Sequence, residues 1–388
     1  MTRIYLVRHA EAEGNLYRRI HGWYDALITD NGYRQIAALE QRFESIPIDA
    51  VYSSDLFRTK TTATAVTRPK RLPLTTVKGL REIHMGAWED MPWGEAGYFH
   101  REDLDRFSSQ SPQWRGEGGE SFAEVRQRAA HALRSIAAAH PGQNVAVFSH
   151  GTTIRNALAA LMGLSVEEAN SLGHSDNTAV SLLEFEGDTV RVVYQDDNSH
   201  LPEEISTLAR QSWWKKGPEA QKKTNLWFRP MDLAFGEMTD YLQAREEAWR
   251  LIHPTLEGFD GEGFLTQAAR RVANGTGLVM RAMLEGEPVG LVELDLKQDA
   301  EKGVGWIPFC YLAPQWRDQG YGVQLIGQAV SSFRTLGRDY LRLHCAPENA
   351  KAQRFYEKYG FRKMGKVPGA QGMLDVLEKY IGYKDMRE

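Results

Sequence analysis

The sequence predicts an α/β protein made of two successive domains. Three observations carry that expectation. Short apolar runs alternate with amphipathic helical patterns as far as about residue 201. The pattern then breaks between 203 and 225, and a second alternation runs to the end. The chain has 388 residues, more than the roughly 250–300 that one core usually organises. The expected layout is a domain at 1–203, a linker at 204–224 and a domain at 225–388.

In the first stretch, "RIYLV" (3–7), "DAVYS" (49–53) and "NVAVFS" (144–149) read as buried strands. "NGYRQIAALEQRF" (31–43), "FRTKTTATAV" (57–66) and "SFAEVRQRAAHALRSIAAAH" (121–140) read as amphipathic helices. This order implies a mostly parallel sheet sandwiched by helices. "AVSLLEFEGDTVRVVYQ" (179–195) holds two β-rich runs around Gly187, hence a hairpin at the sheet edge. "SWWKKGPEAQKKTN" is basic and contains Gly-Pro, which suits a linker. Trp213 and Trp214 would dock it onto a domain surface or stack a ligand. Beyond it come helices near 238–251 and 262–273, then strands near 277–284, 287–296 and 303–312. A helix at 320–336, a strand at 339–345 and a helix at 349–359 follow.

Composition sets limits. The chain is 42% hydrophobic and 25% charged, with a formal net charge of -4. Nothing there draws it globally to nucleic acid or an anionic membrane. No apolar run reaches the ~18 residues of a membrane span, and the opening residues lack the order of a signal peptide. Two cysteines, Cys310 and Cys345, suggest no disulfide framework, so a reducing cytoplasm is expected. No HExxH or Cys/His ligand spacing appears, and no metal is expected.

The chemistry concentrates at strand ends. "IYLV" runs into Arg8-His9, and "NVAVFS" ends in Ser149-His150. In parallel sheets ligands bind beyond the carboxyl ends of strands, so two histidines at two such ends would face one another. A third strand delivers Ser54 and then Arg58 in the first turn of a helix, where an anion is favoured and a guanidinium adds a bidentate donor. The inference is a phosphate pocket with a histidine at its floor.

"LVRHAEAEGN", "SSDLFRTKTTA", "GLREIHMGAWED", "GGESF", "FSHGTTIR" and "DNSHL" together resemble the histidine phosphatase superfamily, in its phosphoglycerate-mutase-like branch, over about 2–201. Ala10 stands where the family pattern has glycine. The resemblance implies that His9 attacks phosphorus to give a phosphohistidine. Arg8, Arg58 and a protonated His150 would brace the equatorial oxygens. Glu82 would protonate the leaving alcohol and then activate water. Asn15 and the backbone at His21 and Gly22 would complete the cradle. His84 and His174 are expected to be structural. Residues 92–118 would form a lid, in which Trp93, Tyr98, Trp114 and Arg115 either contact the leaving group or pack the segment down. That span is short for sheltering a phosphohistidine from water, which favours hydrolysis over mutase chemistry.

In the second half, "APQWRDQGYG" gives R-x-x-G-x-G at a strand-to-helix turn, where backbone N–H groups would close on a pyrophosphate. With "HCAPENAKAQRFYEKYGF" it resembles the GCN5-related N-acetyltransferase (GNAT) family over about 225–386, with a mixed, splayed sheet. The resemblance implies acetyl-CoA as co-substrate. The Leu312 backbone would hold the pantetheine arm, and the amides of Arg317, Gln319, Gly320, Tyr321 and Gly322 the pyrophosphate. Asn349 would contact the arm, and Tyr356 would protonate the leaving thiolate. Pro308 removes a ladder donor inside the strand and suggests a bulge or an edge, and a strand splayed there would open the thioester slot. Glu293, Asp295, His344 or a water chain are the candidate bases.

The expectation is a bifunctional enzyme acting on a small phosphoester and a small amine acceptor. The alternatives are that one domain is a non-catalytic sensor or scaffold for the other, or that the first is a mutase. Oligomeric state stays open.

Overall fold

The computed structural model describes residues 1–211, 224–234 and 236–383. The chain divides into two compact units, Met1–Lys222 and Lys223–Glu388. Trp213 and Trp214 lie outside the described residues. Among the described residues no helix is long and apolar enough to cross a membrane.

The first unit holds β1 (Thr2–Arg8), β2 (Ala50–Ser53), β3 (Leu74–Thr76), β4 (Asn144–Ser149), β5 (Val180–Glu186) and β6 (Thr189–Asp197). They form one sheet in the order β3-β2-β4-β1-β5-β6. The first four are mutually parallel, and the β5–β6 hairpin closes one edge antiparallel. Both faces are covered. Ile4, Leu6, Val145 and Val147 pack on Leu133 and Ile154. Val7, Val51 and Phe148 pack on Leu39, Phe43 and Val66. Each such side chain contributes about 1.5–3 kcal/mol when fully buried, so the near-continuous apolar strands are those of a two-sided core. The covering helices start where side chains satisfy their first N–H groups: Thr29 accepts from Gly32, and Ser121 and Glu124 form a reciprocal capping box.

Register decides the site. In the β1–β4 pair Arg8 lies opposite Ser149, and the His9 N–H donates to the Ser149 carbonyl at 3.0 Å. His9 and His150 therefore leave adjacent strands at the same level.

The segment 92–118, expected as a lid, carries helices at Trp93–Phe99 and Arg101–Ser108. Trp114 is 2% exposed and packs with Trp88, Phe122 and Val125, with Trp93 and Phe107 against them. For Trp93 and Trp114 packing therefore prevails, because flat rings bury large areas against one another. Arg115 pairs with Glu124 and Tyr98 stays exposed. Residues 205–210, expected as linker, pack with the first unit. Ile205 and Thr207 are buried, Ser206 caps the short helix Thr207–Arg210, and Gln35 donates to the Ile205 carbonyl.

The second unit adds β7 (Trp227–Pro230), β8 (Gly277–Leu284), β9 (Glu287–Asp295), β10 (Val304–Leu312), β11 (Tyr340–Cys345), β12 (Arg362–Gly369) and β13 (Gly372–Tyr380). Their order is β12-β13-β11-β10-β9-β8-β7. Among the described residues of this unit only β10 and β11 run parallel, and they pair from Val304↔Tyr340 to Ile307↔Leu343 before parting. The parting begins at Pro308, which has no N–H to donate. The pairing of β10 with β9 also shifts register between Trp306 and Phe309. The bulge and splay expected from Pro308 are present.

Candidate active sites

At the end of the first sheet the His9 and His150 rings lie 5.3 Å apart, centroid to centroid. His9 Nδ1 is 2.7 Å from the Ala10 carbonyl oxygen, which can only accept. Nδ1 therefore carries the proton and Nε2 presents its lone pair. Burial, then Arg58 and Arg8, hold the His9 imidazolium far below the ordinary histidine range. The ring is neutral and nucleophilic at neutral pH. Thr62 Oγ1 accepts the Ala10 N–H and Asn177 donates to the His9 carbonyl, so the backbone on both sides of the histidine is fixed.

Arg58 is 1% exposed. Its guanidinium donates to the carbonyls of Tyr24 (3.0 Å), His21 (3.3 Å) and Gly22 (2.7 Å). Arg8 donates to the Ser175 carbonyl, and its Nε is buried without a partner. Among the described residues neither arginine is in a salt bridge. Two cations held by neutral carbonyls leave their charge for an incoming anion.

His150 Nε2 lies 2.7 Å from Ser54 Oγ, while its Nδ1 is buried and unpaired. Burial, then Arg58 and His9, hold it far below the ordinary range. The expected protonated His150 is therefore not favoured by the protein's own groups; a phosphate dianion has to supply the charge that reverses this. Glu82 sits at the start of the helix Gly151–Leu161. Its Oε1 accepts from the Thr153 N–H at 2.9 Å and its Oε2 from the Thr152 N–H at 3.1 Å. The carboxylate is thus anchored one turn from His150.

At Gly22, expected in the phosphate cradle, the N–H has a partner within the protein. The N–H groups of Gly22, Trp23 and Tyr24 all donate to Glu89. The carbonyls of this turn face Arg58, and the His21 ring is tied to Asp90. These peptide groups hold the arginine. Asn15 turns its Oδ1 onto the Ala12 N–H. His84 packs on Trp23, with ring centroids 4.5 Å apart. His174 Nδ1 contacts Arg155 at 3.0 Å, and burial, then Arg155, depress it to about 4. Glu89 and Asp176 are polar anchors not singled out from the sequence: Glu89 binds the N–H groups of Gly22, Trp23, Tyr24 and Met85, and Asp176 binds Asn177 and Leu208 N–H and the Asn198 and Ser206 side chains.

In the second unit the turn after β10 carries the glycine-rich stretch. Gly320 adopts φ +86°, and Gly322 opens the helix Gly322–Thr335 where an added Cβ would stand 3.0 Å from the Phe355 ring. Arg317 folds back to donate to the Leu312 carbonyl at 2.8 Å, and Gln319 donates to the Gln315 carbonyl. Tyr321 is buried against Trp316. Asn349 caps the helix Ala350–Lys358 by accepting the Ala352 N–H at 3.0 Å. Tyr356 on that helix hydrogen-bonds Cys310, at the parting of β10 from β11. Burial and Cys310 push its hydroxyl well above its usual value, so it keeps its proton.

Two of the foreseen bases, Glu293 and Asp295, are engaged elsewhere. Glu293 is 1% exposed, pairs with Arg245 and with Arg271, and accepts from the Tyr241 hydroxyl at 2.9 Å. Asp295 pairs with Arg271 at 2.7 Å. His344 packs on Trp306, and burial lowers its pKa. Glu247, which accepts from the Tyr311 hydroxyl on β10, was not singled out from the sequence.

Residues 4–198 match the sequence model of the histidine phosphatase superfamily (branch 1), and residues 238–361 that of the acetyltransferase (GNAT) family. Phosphoserine phosphatase 1 of Hydrogenobacter thermophilus is 32% identical over 186 residues, spanning 48% of this chain and 88% of its own. Metal-independent phosphoserine phosphatase of Arabidopsis thaliana is 33% identical over 205 residues, 52% of this chain and 84% of its own. The solved structure of Bacillus stearothermophilus YhfR aligns with a TM-score of 0.50 at 32% identity, covering 52% of this chain and 99% of its own. Sheet order, register and these matches agree: the chain belongs to the histidine phosphatase superfamily and carries a GNAT acetyltransferase domain on its C-terminal side.

Proposed function

We propose that the first domain hydrolyses a small phosphomonoester through a phosphohistidine, and that the second transfers an acetyl group from acetyl-CoA to an amine. One observation supports the first half most. Arg8 and Arg58 are held by carbonyls without a carboxylate partner, beside a histidine whose Nε2 lone pair is free. His9 Nε2 attacks phosphorus and the P–O bond to the leaving group breaks. Glu82 gives that oxygen its proton, then takes one from the water that displaces His9. Arg8, Arg58 and His150 brace the equatorial oxygens, with Asn15 as a further donor.

Both curated relatives carry the name phosphoserine phosphatase, so phosphoserine is the first substrate to test. Arg155, held against His174 and within electrostatic reach of Arg8, adds cationic character suited to a carboxylate. Phosphate release from phosphoserine and from p-nitrophenyl phosphate by the full chain tests the reading. No release from any phosphomonoester, or isomerisation of a bisphosphate-primed substrate in place of free phosphate, overturns it.

In the second domain the splay at Pro308, Gly320, Gly322, Asn349 and the proton-bearing Tyr356 suit acetyl-CoA. A ligand-sensing role is the second reading, favoured by the neutralisation of Glu293 and Asp295 by arginines. Acetyl-CoA binding by calorimetry, followed by a screen of amine acceptors, separates the two. Binding without any acetylated product leaves the sensor. Both domains acting on one metabolite, or on successive intermediates in the cytoplasm, is the arrangement that the fusion motivates; acceptors and phosphoesters with no shared scaffold would sink it.

A further inference from the structure

Glu89 takes no direct part in the chemistry above, and its carboxylate is spent entirely on backbone. Oε1 accepts from Trp23 N–H at 2.7 Å and Met85 N–H at 2.9 Å. Oε2 accepts from Gly22 N–H at 3.1 Å and Tyr24 N–H at 2.7 Å. The peptide joining His21 to Gly22 gives its N–H to Glu89 and its carbonyl to Arg58. The peptide joining Gly22 to Trp23 does the same. Two successive peptide groups thus stand between the carboxylate and the guanidinium, each polarised in one sense from both ends.

This solves a problem of charge. A carboxylate bound directly to Arg58 would neutralise it and compete with phosphate. No counterion at all would leave a buried cation whose desolvation depresses its pKa, a depression that Asp25, Glu82 and Glu89 oppose through space. A counterion acting through two peptides stabilises the guanidinium and fixes its plane while leaving it available to the anion. Packing enforces the arrangement, since a Cβ at Gly22 would fall 2.3 Å from the Ile83 carbonyl oxygen and 2.5 Å from Glu89 Oε1. The same turn is tied to the acid–base residue, because Trp23 Nε1 donates to the Glu82 carbonyl at 2.8 Å.

We propose that Glu89 is a positioning residue for phosphoryl transfer, holding Arg58 through the 21–23 peptides and the Glu82 segment through Met85 and Trp23. The proposal rests on the phosphatase reading. It is tested with Glu89→Gln and Glu89→Asp in the full chain, measuring kcat and KM on p-nitrophenyl phosphate and on phosphoserine, and inhibition by orthovanadate. The thermal midpoint is followed alongside, so that each assay is run on folded protein.

Glu89→Gln should lower kcat at least about tenfold with KM changed less than about threefold, and weaken vanadate in step with kcat. The loss should be larger on the alkyl ester, whose leaving group needs a proton, than on p-nitrophenyl phosphate. Glu89→Asp should fall in between. Wild-type kcat in Glu89→Gln, or a KM effect alone, overturns the proposal. If Glu89→Gln does not fold, Glu89→Asp decides: its shorter carboxylate cannot serve all four N–H groups, and undiminished turnover would refute the relay. If the native chain releases no phosphate, the phosphatase reading falls, and binding of inorganic phosphate is compared instead. A tenfold weaker affinity in the variant then upholds the link to Arg58, and equal affinity refutes it.

Discussion

His9 and His150 stand ring to ring, 5.3 Å between centroids, because Arg8 and Ser149 are register partners in adjacent parallel strands. A slip of one residue would send one of the histidines to the other face of the sheet. The pairing of β1 with β4 is thus a functional dimension, and the apolar residues that set it are part of the site.

His9→Ala removes the imidazole proposed as nucleophile, which lies within electrostatic reach of Arg58 and Arg8. Phosphate release from p-nitrophenyl phosphate should fall by about 10⁴-fold or more, as for loss of other covalent nucleophiles. Acetyl-CoA affinity, read by calorimetry, should stay at the native value. A change there would mean that the two domains are coupled.

Stability should weaken in mild acid. His9 and His150 both titrate far below the ordinary histidine value of 6.5 in the fold, and His174 and His200 near 4. The unfolded chain takes up protons below about 6.5 while the folded chain does not, so stability is complete above that pH and is lost as pH falls. The thermal midpoint should drop between pH 7 and pH 5, and less steeply in His150→Asn, which removes one of the groups. An equal slope in the variant would contradict the assignment.

Gly320 holds φ +86° with no atom within 4 Å of an added Cβ. Gly320→Ala should therefore act through backbone strain alone, costing about 1–2 kcal/mol. Gly320→Glu adds a negative charge where the pyrophosphate is proposed to lie. It should weaken acetyl-CoA by well over the effect of alanine, while phosphatase kcat/KM is unchanged. Comparable affinities for the two variants would remove the pyrophosphate from this turn.

Tyr356→Phe tests the thiolate acid. Acetyl transfer should lose about 10²-fold in kcat, with acetyl-CoA affinity within about twofold. The Cys310 thiol, pushed to about 12 by burial, should stay unreactive toward iodoacetamide at pH 8 in both proteins. Rapid labelling of Cys310 would show that the slot is wetter than the geometry implies.

Much of this was legible in residue order. The strand "NVAVFS" and the hairpin around Gly187 stood out by period and by turn chemistry, and "RHA", "FSHG" and "QGYG" sat at strand-to-helix turns where free N–H groups and strand ends converge. Three readings needed more. The 92–118 segment left open whether its aromatics meet the leaving group or pack the segment down; Trp93, Phe107 and Trp114 pack with Trp88 and Phe122, which only the fold brings together. Glu293 and Asp295 looked like candidate bases because Arg245 and Arg271 approach them only across the fold. Gly22 was placed in the cradle by the resemblance, and that its N–H goes to Glu89, 67 positions away, is visible only in the fold.

By itself, the sequence determined most of the strands and helices of both domains, which residues are apolar enough to bury on both faces of the first sheet, and which histidines and arginines end its strands. Those properties are local: hydrophobic period, turn chemistry and side-chain type. Only the tertiary structure decided which charges remain unspent. Arg8 and Arg58 keep theirs because the groups they hydrogen-bond are carbonyls and no carboxylate pairs with them directly, whereas Glu293 and Asp295 lose theirs to arginines. Pairwise electrostatics falls off with distance in space, and chain order does not contain that distance.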